Sequence, residues 1–199
     1  MPPEKGGITI AVVIGSARVG NYTAKAVALV LDELRKIPDV SVEVVDPAGM
    51  ELPLPGAGGP SADVQTVRAA IGGATGVILA TPEYHGSFSS GAKLIIDNLG
   101  YPSELSGKPI ALLGVAGGVI GAVKALEHLR SVCSHVGGIV LPGSCSVANV
   151  RKVFGEGGQC HDPMVEQRIR QLPTSLIEYI RRSVCPGESQ EEAVRGETS

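Results

Sequence analysis

The chain has no tryptophan, and its aromatic complement is four Tyr and two Phe among 199 residues. A surface that binds nucleic acid by stacking on bases needs more rings than that. A dominant charge sign is missing as well. Seventeen Lys and Arg against 20 Asp and Glu leave a net charge of -3, so no electrostatic footprint exists for phosphate backbones or anionic lipid. The basic pairs Arg151–Lys152 and Arg181–Arg182 read as solvated surface. No apolar run approaches the roughly 20 residues of a membrane span. Cysteine is sparse: the four residues, at 133, 145, 160 and 185, include no CxxC pair, which excludes a disulfide scaffold. Cys133/His135 and Cys160/His161 fit no zinc spacing, so no metal site is expected. The G-x-S-x-G elbow of serine hydrolases does not occur. Residues 1–7 are polar, with no secretion pattern. These absences together lead us to expect a soluble, reduced, cytoplasmic protein without nucleic-acid or membrane partners.

What the chain does have is aliphatic bulk and glycine. The hydrophobic fraction is 43%, with 27 Gly. One domain is expected at this length, over residues 8–185, with an acidic flexible tail at 186–199. Ile8–Ile14 is a continuous apolar run, as in a strand buried on both faces. Helical spacing follows over Thr23–Ile37, ended by Pro38. A second strand is expected at Val40–Val45, a helix at Ala62–Gly72 with Ser61 as N-cap, and a third strand at Gly76–Ala80 leading into an irregular turn. Then come a helix at Ser89–Asn98, a strand at Pro109–Val115, the longest helix at Val119–Val136, a strand at Ile139–Leu141 and a helix at Pro163–Arg182, kinked or broken at Pro173. Five strands alternating with five helices predict an open parallel α/β sheet covered on both faces. Its ligand site should lie beyond the carboxyl ends of the strands.

Unusual residues fall directly after strands one, three and four. The first loop, Gly15 to Thr23, offers Ser16, Asn21 and Thr23 as donors, Arg18 as a planar cation, and the N-terminus of the next helix. That is an anion site suited to phosphate, or a plain helix cap with a surface arginine. It is neither a P-loop nor a Rossmann fingerprint. The second, Thr81-Pro82-Glu83-Tyr84-His85-Gly86-Ser87-Phe88-Ser89, holds a histidine that acts as acid or base or only bonds the loop backbone. Glu83 is a base or, preferably, a subunit-interface charge. The third, Gly114 to Gly121, offers bare backbone at Gly117–Gly118, which suits a flat ligand.

These segments resemble the NADPH-dependent FMN reductase family, the flavodoxin-like group that includes bacterial quinone and chromate reductases. The first loop is similar to the family's GSxRxxSxT/N phosphate loop, with Asn21 for the usual Ser. Thr81–Phe88 matches TPEY-N/H-GS, and Gly107-Lys108-Pro109 to Ala125 follows the GKP strand and glycine-rich turn. The resemblance covers about residues 8 to 182. It implies a three-layer sandwich with five parallel strands in the order 2-1-3-4-5. It implies bound FMN, with NADPH or NADH as co-substrate. Ser16, Arg18, Asn21 and Thr23 would hold the phosphate, and Tyr22 would cover the ribityl or phosphate side. Pro82, Glu83, Tyr84 and His85 would line the isoalloxazine, largely through backbone, and Ala116, Gly117 and Gly118 would meet its pyrimidine edge. Hydride would pass through flavin N5 to a quinone, free flavin or similar small-molecule electron acceptor in ping-pong order, and no side chain is expected to be catalytic. A homodimer or homotetramer is implied as well.

The chain departs from the pattern at Ser90, Ala92, Lys93 and Leu94, where Leu-Lys-Asn is usual. It has Gly114 and Ala116 for family serines and Val119 for an arginine, which makes NADH use more plausible. Two alternatives compete with the reductase. A flavodoxin-type carrier is disfavoured by the lack of a strongly acidic face and a T-x-T-G-x-T loop. A flavin-free oligomeric interaction protein is kept open by the departures at Leu94, Gly114 and Ala116.

Overall fold

The structure, a computed structural model, describes residues 7–57 and 59–184. The acidic tail expected at 186–199 lies outside the described residues. Strand β1 (Ile8–Ile14) is followed by α1 (Tyr22–Leu34), β2 (Val40–Val45), α2 (Ala62–Gly73), β3 (Gly76–Tyr84), the short β4 (Ser87–Phe88) and α3 (Ser90–Asp97). Then come β5 (Pro109–Val115), α4 (Val123–His135), β6 (Ile139–Val140), β7 (Cys145–Val147), α5 (Val150–Val153) and α6 (Pro163–Ser183). The main sheet runs β2-β1-β3-β5-β6, all parallel. Setting aside the β4 arm, this is the expected 2-1-3-4-5 order.

The central strands are apolar throughout because both faces are covered. In β1, Ile10, Val12 and Ile14 enter one core, shared with α1 and α6, while Ala11 and Val13 enter the other, shared with α2, α3 and α4. In β3, Ile78 and Ala80 face the first core and Val77 and Leu79 the second; β5 divides Ala111 and Leu113 from Ile110 and Leu112 likewise. Each fully buried Ile or Leu contributes about 1.5–3 kcal/mol. Lys108 plays a structural part beside this core. Its Nζ donates to the carbonyls of Gly72 (2.9 Å) and Ala74 (2.6 Å) at the end of α2, and burial pushes its pKa down.

Several boundaries differ from expectation, each for a local reason. α1 ends at Leu34, its last carbonyls taken up by tighter bonds from Lys36 to Glu33 and from Ile37 to Leu34. α4 begins four residues late, since Gly121 has φ +80 and cannot lie within a helix. α6, with 21 residues, is the longest described helix, because it runs unbroken through Pro173. A proline inside a helix costs about 3 kcal/mol. Burial of Ile169, Leu172, Leu176, Ile177 and Ile180 on one stripe offsets that. The last strand is split, because Pro142 lacks an N–H and Gly143 turns with φ +81. Arg130 fills the gap, donating to the carbonyl oxygens of Val140 (3.3 Å) and Leu141 (3.0 Å) and to Ser144 Oγ (2.8 Å).

Candidate functional site

The carboxyl ends of β1, β3 and β5 are in register, with Ile14 beside Ala80 and Pro82 beside Val115, so the three loops after them meet along one edge. Buried hydrogen bonds lock the first two loops together. Gly15 N donates to Ala80 O at 2.7 Å, and Ser89 Oγ donates to the Gly15 carbonyl. Ser89 N donates to Thr81 Oγ1 at 3.1 Å, and Ser89 Oγ also caps α3 by accepting from Ala92 N at 3.1 Å. Gly15 is required here, since a Cβ would stand 2.7 Å from Ala80 O. Sequence reasoning used Thr81 and Ser89 only as ends of elements. Their role in joining loops comes from contacts between residues 74 apart in the chain.

The first loop is rich in unfilled donors. Among the described residues, no backbone N–H from Ser16 to Thr23 donates a hydrogen bond. Ser16 Oγ and Thr23 Oγ1 are buried with no partner, on residues exposed by only 4% and 1%. An unsatisfied buried hydroxyl costs about 1–3 kcal/mol, so two of them beside a helix N-terminus mark a place built for an acceptor. Arg18 is exposed and forms no ion pair among the described residues. Two residues have other work. Asn21 Oδ1 caps α1 by accepting from Ala24 N at 2.7 Å, and its Nδ2 donates to the carbonyls of Arg18 (2.7 Å) and Ser16 (3.3 Å). Its side chain therefore shapes the loop and has no hydrogen left for a ligand. Tyr22 packs against the core beside α1, with Lys25 Nζ 4.8 Å from its ring centre. Lys25 also donates to the carbonyls of Gly155 (2.8 Å) and Glu156 (3.1 Å), tying that distant loop to α1.

The second loop is a tight hairpin where an irregular turn was expected. Tyr84 pairs with Ser87 around His85 and Gly86, whose φ values are +51 and +75. Left-handed φ at both central positions is what a two-residue I′ turn demands; Gly86 adopts it freely, and His is among the residues found there more often than most. Pro82 fits in β3 because the pairing with β1 has ended at Ala80, leaving only β5 alongside. Tyr84 and His85 are exposed at the tip. Glu83 is not free: its Oε2 accepts from Ala125 N at 3.0 Å.

In the third loop, Ala116 is buried, and its N and O are both used, to Val147 O (2.9 Å) and from Val150 N (3.0 Å). Its backbone therefore ties the third loop to β7 and α5. Gly117 and Gly118 are exposed, lack left-handed φ, and would have nothing within 4 Å of an added Cβ. Neither strain nor crowding asks for glycine there, and the bare backbone lies open to a close approach.

Other features lie apart. A groove of about 760 Å³ is lined by Tyr101, Pro102, Lys93 and His135, at the end of the sheet remote from these loops. Burial pushes the Cys133 thiol up to about 12 and Cys145 up to about 11, which makes both poor nucleophiles. No three His, Cys, Asp or Glu gather as metal ligands among the described residues, and no described helix is long and apolar enough to cross a membrane.

Comparison with known proteins places this geometry. A sequence model of the family described as NADPH-dependent FMN reductase matches residues 8–152. An NADPH azoreductase of Bacillus sp. (strain OY1-2) is 31% identical over 140 residues, covering 69% of this chain and 78% of the relative. The FMN-dependent NADPH-azoreductase of Staphylococcus aureus is 29% identical over 181 residues, 86% of this chain and 95% of that protein. Among solved structures, the flavoenzyme NAD(P)H:(acceptor) oxidoreductase FerB from Paracoccus denitrificans superposes with a TM-score of 0.71 at 22% identity, over 88% of this chain and 98% of that one.

Proposed function

Since the chain belongs to the NADPH-dependent FMN reductase family, we propose that it is an FMN-holding oxidoreductase that uses NADPH or NADH to reduce a small-molecule acceptor. The observation that carries this reading is that, among the described residues, the buried hydroxyls of Ser16 and Thr23 have no partner and lie beside unfilled backbone donors and an Arg18 with no ion pair. An FMN phosphate supplies the acceptors that this loop lacks. The residues fit the flavin elsewhere too. The hairpin Pro82 to His85, with Tyr84 and His85 exposed at its tip, and the open Gly117–Gly118 backbone give two walls for a planar ring.

Bound FMN would supply hydride acceptance from the nicotinamide at N5 and onward reduction of a second substrate, in ping-pong order. The chain's own work is to hold and orient. Arg18, Ser16 Oγ, Thr23 Oγ1 and the first-loop N–H groups bind the phosphate. Asn21 fixes that loop's shape. Thr81 and Ser89 keep the hairpin against it. No side chain of the site acts as an acid or base in this scheme, and Glu83 is engaged with α4. A quinone, free flavin or azo compound suits such an open edge as acceptor, the last being what the azoreductase relatives are named for.

We place the protein in the cytoplasm as a homodimer or homotetramer. Val119 and Ile120 are 77% and 81% exposed beside the glycine pair, and Val123 adds to this apolar rim. Light scattering at micromolar concentration should give at least a dimer mass, and a monomer mass would remove this part of the reading. For the flavin, the purified chain is mixed with FMN and desalted. Retained yellow absorbance, with an affinity sensitive to Arg18, supports the assignment, and a colourless protein overturns it.

A further inference from the structure

We infer that Glu83 is a positioning residue that fixes the spacing between the two loops proposed to face the flavin ring, an inference that rests on the reading above. α4 begins without a cap of its own. Its N-cap residue is Ala122, which has no side chain to accept the first N–H groups. Two acceptors come from other strands instead. Ser146 Oγ accepts from Ala122 N at 2.9 Å, and Glu83 Oε2 accepts from Ala125 N at 3.0 Å. A carboxylate is the favoured partner at this end of a helix, by charge and by hydrogen bond.

Glu83 stands at the root of the hairpin, opposite Phe88. Phe88 packs against Ala116, Ala122 and Ala125, and Ser87 Oγ lies 3.0 Å from His128 Nδ1 one turn along α4. The hairpin is thus fastened to α4 by an apolar side chain, a carboxylate and a hydroxyl–imidazole pair. α4 in turn continues directly from the Gly117–Gly118 loop. Through this helix Glu83 couples the loop that presents Tyr84 and His85 to the loop that presents bare backbone. A carboxylate in a TPEYHGS segment invites reading as a base; its bond to a helix amide gives it a different task.

The test compares full-length Glu83→Gln and Glu83→Ala. Gln keeps an oxygen able to accept from Ala125 N, and Ala keeps none. FMN affinity is read from quenching of flavin fluorescence, and amide hydrogen exchange is read on the FMN-free chain at residues 84–88 and 117–125. Glu83→Ala should lose about tenfold in FMN affinity, the scale of one lost helix cap. Exchange should quicken in both segments together. Glu83→Gln should stay within about threefold of wild type, since one neutral hydrogen bond replaces a charged one. Ser87→Ala, which removes only the outer tether, should quicken exchange in the same segments to a smaller degree. Unchanged FMN affinity in a folded Glu83→Ala protein would mean a merely structural cap and would overturn the inference. Equal loss in both variants would also overturn it, pointing to charge or direct ligand contact. The exchange experiment needs no FMN. A wild type that fails to hold FMN defeats the proposed function, while exchange unchanged by Glu83→Ala and Ser87→Ala defeats the coupling.

Discussion

Ser16, Thr23 and Arg18 give the first loop its chemical meaning, because each lacks something that a bound anion supplies. Among the described residues, the two hydroxyls are buried without partners, and the guanidinium is exposed without a counter-ion. Arg18→Ala should weaken FMN binding by about 1.5–3 kcal/mol, the range for a hydrogen bond to a charged group. Fluorescence titration checks this, and unchanged affinity would remove the phosphate role. Thr23→Val should act with opposite signs in two states. Without FMN it removes an orphaned polar atom, so the thermal midpoint should hold or rise. With FMN it removes a donor, so affinity should fall by about 1 kcal/mol. Thermal scans with and without FMN read both effects, and a fall in the FMN-free midpoint would show the hydroxyl to be satisfied within the fold.

At the scale of elements, the contact between α1 and α6 adds a pH response. Arg170 on α6 bonds Asp32, Glu33 (3.2 Å) and Glu166 (2.9 Å), and Lys36 joins Asp32 (3.0 Å) and Glu33 (3.1 Å) on α1. The Arg170 guanidinium, then Lys36, holds the Asp32 carboxyl below its usual value; Lys36, aided by Arg170 against partial desolvation, does so for Glu33. A carboxyl depressed in the folded state stabilises above its unfolded pKa and loses that contribution as pH falls through the folded value. Resistance to urea should therefore decline as pH drops below about 4, and Arg170→Met should flatten that decline, since these groups titrate there when unpaired. A decline of equal depth in the variant would contradict the assignment. The same elements show what sequence makes legible. The parallel sheet and the three loops follow from apolar runs and glycine, because burial on both faces leaves no other pattern, whereas the strand order follows from the family resemblance. The hairpin at His85–Gly86 and the late start of α4 were missed, since left-handed φ at His85 and Gly121 is a backbone property. The split edge strand was missed because Arg130 stabilises it from another element. Within the site, the loops and a helix cap in the first of them were legible, but the tasks of Ala116 and Glu83 were not. Each depends on a partner that only folding brings near, such as Ala125 for Glu83, 42 residues away.

For the whole molecule, two cores and one open edge divide the labour. The aliphatic cores cover the sheet on both faces, and the two buried hydroxyls left without partners among the described residues, Ser16 and Thr23, lie at its carboxyl edge. Rings are scarce in this chain, so Tyr84, exposed at that edge, stands out. Val119 stands where the family resemblance implies an arginine, and a single titration reads nicotinamide choice together with the function itself. The FMN-loaded protein is titrated anaerobically with NADPH and, separately, NADH, while the visible flavin band is followed. The account predicts that at least one nicotinamide bleaches the band and that a quinone or azo dye then restores it. A protein that keeps FMN but is bleached by neither would contradict the oxidoreductase assignment and leave an electron carrier in its place.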